Sequence, residues 1–134
     1  MTAQPLILVV DDDVDFLELT RNVLEREGYR VACCAQAREA LAKMAEDPPD
    51  LIVTDLMMES LDTGFSFSRQ IRDDPRFAAL PIILVTAAGS ARGFDFRPQT
   101  TDDLAAMRVD AFLEKPIVPK KFLKKVAELL AAGR

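Results

Sequence analysis

Five consecutive residues, Leu51 to Asp55, constrain this chain more than any others. Leu-Ile-Val-Thr-Asp is a short apolar run that follows Pro48 and Pro49, neither of which can continue a helix, and it closes on a carboxylate. It reads as a buried parallel strand that carries Asp55 to its C-terminal edge, the crevice in which open α/β sheets bind ligands. Two further runs end the same way: Leu6 to Val10 leads into Asp11, Asp12 and Asp13, and Ile82 to Val85 leads into Thr86. The expected site is therefore built from strand ends.

The remainder of the chain supplies the helices such a sheet needs. Phe16, Leu17, Thr20, Val23 and Leu24 recur at helical spacing up to Gly28, a residue suited to the position just past a helix end, and Asp13 suits the N-cap. Tyr29 to Cys34 reads as a second strand. Ala40, Leu41, Met44 and Ala45 mark one face of a second helix, stopped by the two prolines. A third helix is expected over Phe65 to Arg72, with Phe67 and Ile71 one turn apart, and a short one around Asp102 to Met107 after an irregular stretch from Ala87 to Thr101. A fifth strand, Ala111 to Leu113, reaches Glu114, Lys115 and Pro116. Pro119 then opens a last helix whose Phe122, Leu123, Val126, Leu129 and Leu130 form an apolar stripe. Five strands alternating with five helices imply an α/β domain with a mostly parallel sheet covered on both faces.

Composition limits what this domain can do. At 134 residues the chain is long enough for one domain with a substantial core, and a formal charge of −5 disfavours nonspecific binding to nucleic acid. Lys120, Lys121, Lys124 and Lys125 lie at helical spacing and read as a solvated helix face. Cys33 and Cys34 are adjacent, so in a strand they face opposite ways and form no structural disulfide, which fits a reducing cytoplasm. No apolar run approaches the length of a membrane span, and the first residues lack the pattern of a signal peptide. The chain has no histidine, which removes His-based acid catalysis, most zinc sites and any phosphohistidine of its own.

Asp11, Asp12 and Asp55, brought together from two strand ends, would repel one another strongly, so either one stays protonated or a cation neutralises them. All-oxygen donors favour a hard cation, and an open site with few protein ligands suits Mg2+. Lys115 would bring a second positive charge, and the Thr86 hydroxyl a hydrogen bond.

These residues resemble a known family, the receiver domains of bacterial two-component response regulators. The resemblance rests on Val10-Asp11-Asp12-Asp13, Thr54-Asp55-Leu56-Met57-Met58, Val85-Thr86-Ala87 and Lys115-Pro116, in the family's order and on its strands. It implies a (βα)5 doubly wound fold with a parallel five-stranded sheet in the flavodoxin-like order 2-1-3-4-5, forming a single receiver domain over residues 1–134 with no output domain. By the same resemblance Asp55 is the phospho-acceptor. Asp11 and Asp12, with Asp55 and the backbone carbonyl of Met57, hold Mg2+; Thr86 and Lys115 contact the phosphoryl group. Phe112 matches the switch aromatic paired with Thr86, and Lys115-Pro116 matches the family's cis peptide bond. The donor would be a sensor histidine kinase or a histidine phosphotransfer protein, and the output an unnamed protein target in the cytoplasm. Neither nucleic acid nor membrane is contacted directly, and a homodimer is left open. Such a domain is regulatory rather than an enzyme, although it assists its own phosphorylation and dephosphorylation. By the resemblance, the positions flanking the path of a hydrolytic water are Met57 and Ala88, which carry no group to orient it, so the phosphoryl group is expected to be long-lived.

The sequence departs from the family after the acceptor, where Met58 to Gly64 lacks the usual proline and is one residue longer, and in the long interval from Thr86 to Lys115. Other readings of the same residues are weaker. Asp11, Asp13 and Asp15 alternate as in a calcium loop, but Phe16 stands where glycine is required and Asn22 where glutamate is. A flavodoxin-like cofactor binder would not place three aspartates where it cradles a phosphate. A haloacid-dehalogenase-type phosphohydrolase shares the Asp11 and Asp13 spacing, but Asp15 breaks its motif and the chain is short for its cap.

Overall fold

The computed structural model describes residues 4–55, 69–87 and 110–132, with backbone alone at 86 and 87. The strands are β1 (Leu6–Val10), β2 (Arg30–Cys34), β3 (Leu51–Asp55), β4 (Ile82–Ala87) and β5 (Ala111–Lys115), and they form one sheet in the order β2-β1-β3-β4-β5. Every neighbouring pair is parallel, with Val10 opposite Thr54, Asp55 opposite Val85 and Ala87 opposite Lys115. The described helices are α1 (Val14–Arg26), α2 (Ala37–Glu46), the helical residues 69–73 and a C-terminal helix, Pro119–Ala132.

Alternation along the strands sorts the core into two layers, because successive side chains point to opposite faces. Ile7, Val9, Leu51, Val53, Ile83 and Val85 meet Phe16 and Leu24 of α1 and Phe122, Val126 and Leu130 of the C-terminal helix. Leu8, Val10, Ile52, Ile82 and Leu84 meet Ala40 and Met44 of α2, Ile71 and Phe77. Strands β1 and β3 are buried along their whole length, which is why they read as unbroken apolar runs. The edge strand β2 is only half-buried, with Cys33 packed on one core layer and Cys34 on the other; both thiols are free, and burial pushes both above the ordinary cysteine value.

The ends of the elements follow from local chemistry. Asp13 caps α1, its carboxylate accepting from the Asp15 and Phe16 N–H groups at 3.0 and 3.3 Å. Gly28 follows the C-cap Glu27 with φ 91°, a left-handed conformation that a side chain would strain. Two aspartates at the opposite edge of the sheet pin neighbouring strands: Asp50 exchanges bonds with the Leu6 backbone at 2.7 Å in both directions, and Asp110 does so with Ile82 at 2.8 and 2.9 Å. Arg72 grips Asp110 at 2.7 Å and also reaches the Leu80 carbonyl.

Several boundaries differ from the sequence reading. β2 starts at Arg30 rather than Tyr29, and β4 and β5 run on to Ala87 and Lys115, since ladder pairing continues past the apolar residues that signal a strand. Ala45 is exposed, lying off the stripe of Ala40 and Met44. The first half of the helix expected over Phe65 to Arg72, the short helix around Asp102 to Met107 and the irregular stretch expected from Ala87 to Thr101 lie outside the described residues, except that Ala87 is the last residue of β4. No helix among the described residues is long and apolar enough to cross a membrane.

Candidate functional site

Parallel strands end at one edge, so the residues that follow β1 and close β3 and β5 converge there. Asp11, first after β1, is fully buried, and its backbone N–H extends the ladder to Cys34 at 3.0 Å. Its Oδ1 accepts from the Asp13 N–H at 2.9 Å, which ties the carboxylate to the cap of α1. Asp55, the last residue of β3, is 7% exposed, whereas Asp12 is turned to solvent. One carboxylate oxygen from each of Asp11, Asp12 and Asp55 lies within 4.8 Å of the others. Lys115, closing β5, enters this cluster with its Nζ 2.7 Å from Asp11 Oδ2 and 3.2 Å from Asp55 Oδ2.

The electrostatics explain why the lysine is there. Burial pushes the Asp11 carboxyl up to about 6, helped by the charge of Asp55, against the lowering effects of Lys115 and the Asp13 N–H. Burial alone would lower Lys115, but its contacts with Asp11 and Asp55 together outweigh it and hold the ammonium above the ordinary lysine value. One ammonium faces three carboxyl groups, so acidic groups outnumber basic ones in the cluster. An all-carboxylate donor set with one exposed member, Asp12, is open to a hard metal ion, which would offset that imbalance.

The other sequence candidates fall as follows. Phe112 is half-buried on β5 opposite Leu84 and packs against the α2-side core, on the other face of the sheet from the Lys115 cluster. Thr86 sits on β4 opposite Glu114, with its side chain outside the described atoms; Met57 and Ala88 lie outside the described residues. The Lys115-Pro116 peptide bond is cis. Two features escaped the sequence reading. Phe16, read only as part of the apolar face of α1, places its ring 4.4 Å from Lys115 Nζ. The Arg72–Asp110 pair had one sequence signal, an aspartate directly before a strand, which recurs at Asp50.

The family model of the response regulator receiver domain matches residues 7–127, nearly the whole chain. This chain belongs to that family. Receiver domains are regulatory domains of two-component response regulators, and they interact with histidine kinases or phosphotransfer proteins. The chain is 38% identical over 133 residues to the transcriptional regulatory protein ResD of Bacillus subtilis, covering 96% of this chain and 49% of the relative. It is 34% identical over 133 residues to the response regulator Rre1 of Synechocystis sp., covering 96% of this chain and 53% of the relative. It thus spans about half the length of both relatives. Among solved structures, the chemotaxis response regulator CheY4 of Vibrio cholerae superposes with a TM-score of 0.80 at 28% identity, over 95% of this chain and 99% of that one.

Proposed function

We propose that Asp55 of this receiver domain accepts a phosphoryl group from a phosphohistidine on a sensor histidine kinase or phosphotransfer protein. The observation that supports this most is the seating of Asp55: it ends the central strand β3 beside two further carboxylates, with the Lys115 ammonium 3.2 Å from its Oδ2. In the transfer the phosphorus–nitrogen bond of the donor breaks, its electron pair stays on the imidazole, and a bond forms between phosphorus and an Asp55 oxygen. Such a transfer asks for positioning and charge neutralisation more than for a strong nucleophile.

Asp11, Asp12 and Asp55, with the Met57 carbonyl, would hold Mg2+, and the bound ion would screen the negative charge of the incoming phosphoryl oxygens. Lys115, already paired to Asp55, then shifts its contact to a phosphoryl oxygen, and the Thr86 hydroxyl donates a hydrogen bond to another. Movement of Thr86 frees space for the Phe112 ring to turn, changing how β4 and β5 present their surface to a downstream protein. The domain regulates rather than turns over a substrate, and it works in the cytoplasm.

Incubation with acetyl phosphate and Mg2+ is expected to add one phosphoryl group to the wild-type chain and none to Asp55→Asn, read by intact mass. Equal labelling of the two proteins would overturn the assignment.

A further inference from the structure

We propose that Phe16 is a positioning residue for Lys115, its ring holding the ammonium at the mouth of the site through a cation–π contact. This rests on the reading of Asp55 and Lys115 given above, and it adds a role for a residue that the acceptor chemistry does not use. Lys115 Nζ lies 4.4 Å from the centre of the Phe16 ring, well inside the range in which a ring's negative face attracts a cation. The Lys115 side chain is 18% exposed, so water screens the contact only in part.

The ring itself is held. It is 6% exposed and packs in the core layer shared with Val9, Val53 and Phe122. Its backbone N–H bonds to Asp13 Oδ1, and the Asp13 N–H bonds to Asp11 Oδ1, so the first turn of α1 is fastened to the same carboxylate that pairs with Lys115. Among the described residues Lys115 therefore rests on three supports, two carboxylates and one ring. The carboxylates are contested ground, because a divalent cation held by Asp11, Asp12 and Asp55 would draw on the same carboxylates and repel the ammonium. The ring carries no charge for a divalent cation to compete for. Phe16 is the support that keeps the ammonium beside Asp55 when the carboxylates are otherwise engaged.

The test compares Phe16→Leu, which keeps an apolar side chain but removes the ring, with Phe16→Tyr, which keeps the ring. Carbon–proton correlation spectra of protein labelled at lysine should show the Lys115 ε-methylene protons shifted upfield by the ring, in wild type and Phe16→Tyr, with and without Mg2+. In Phe16→Leu they should return to the position of an ordinary lysine. With acetyl phosphate and Mg2+, the initial labelling rate should fall about three- to tenfold in Phe16→Leu and stay within about twofold of wild type in Phe16→Tyr. In a Lys115→Met background, adding Phe16→Leu should change the rate no further. An unshifted ε-methylene in wild type, or an equal rate loss from Phe16→Leu with and without Lys115, would overturn the role. Labelling of Asp55→Asn at the wild-type rate would instead remove the acceptor reading, while the methylene shift would still report on the contact itself.

Discussion

At the scale of single residues, the site trades stability for charge. Asp11 is fully buried, and its carboxyl titrates near 6 in the fold against about 3.8 when unfolded. Between those values the folded chain binds more protons than the unfolded one, so the contribution of Asp11 to stability falls as pH rises through this window and the full cost stands above it. Asp11→Asn removes that cost while leaving Lys115 its contact with Asp55. In metal-free buffer it is expected to stabilise the protein by on the order of 2 kcal/mol at pH 7.5, and to make little difference at pH 4, where Asp11 is itself neutral. Thermal unfolding of both proteins at the two pH values checks this; an equal offset at both would mean that shape rather than charge is responsible. Lys115 works in the same direction at the other end of the scale: its raised value adds stability below the ordinary lysine range, and this is lost as pH rises through the folded value.

At the scale of elements, β5 is one of the two outer strands of the sheet, and its residues 112–115 are only partly buried. Its start is fixed by Asp110, which binds both backbone groups of Ile82 and receives Arg72, whose side chain is 13% exposed against 39% for Asp110. Arg72→Met is therefore expected to cost about 1–2 kcal/mol, discounted for the water around Asp110, and to lower the thermal midpoint by about 3–5 °C per kcal/mol. Asp110→Asn should cost less, since its amide oxygen still accepts from Ile82. A larger loss in Asp110→Asn than in Arg72→Met would show that the arginine is incidental.

This clasp also marks the limit of what the sequence reveals. β1 and β3 were legible to the residue because buried parallel strands are continuous apolar runs. α1 was legible through its Asp13 cap, its Phe16, Thr20 and Leu24 stripe and the left-handed Gly28. The carboxylates and Lys115 were legible as strand-end residues. What was not legible depends on tertiary contact: how far β4 and β5 continue as a ladder, Arg72 reaching Asp110 across 38 positions, and the Phe16 ring meeting Lys115. No local pattern encodes which cation lies over an aromatic residue of another element.

At the scale of the whole molecule, two core layers on a five-stranded sheet hold together an edge where negative charges gather. The fold tolerates this because Lys115 offsets part of the repulsion, and a divalent cation at Asp11, Asp12 and Asp55 would offset the remainder. A ligand that binds only the folded chain stabilises it by mass action, about 1.4 kcal/mol at ten times its dissociation constant. Titration with Mg2+ is accordingly expected to raise the thermal midpoint of wild type by about 4–7 °C at that concentration, at pH 7.5 and constant ionic strength. Asp12→Ala, which removes the exposed member of the cluster without opening the core, should keep its own midpoint in the absence of Mg2+ and lose most of the rise. At pH 5 the rise should shrink in wild type as well, because Asp11 is then mostly protonated and a metal must displace that proton. A rise that Asp12→Ala leaves intact, or that NaCl reproduces at matched ionic strength, would place the effect in general screening of a chain of formal charge −5 rather than in a site at the strand ends.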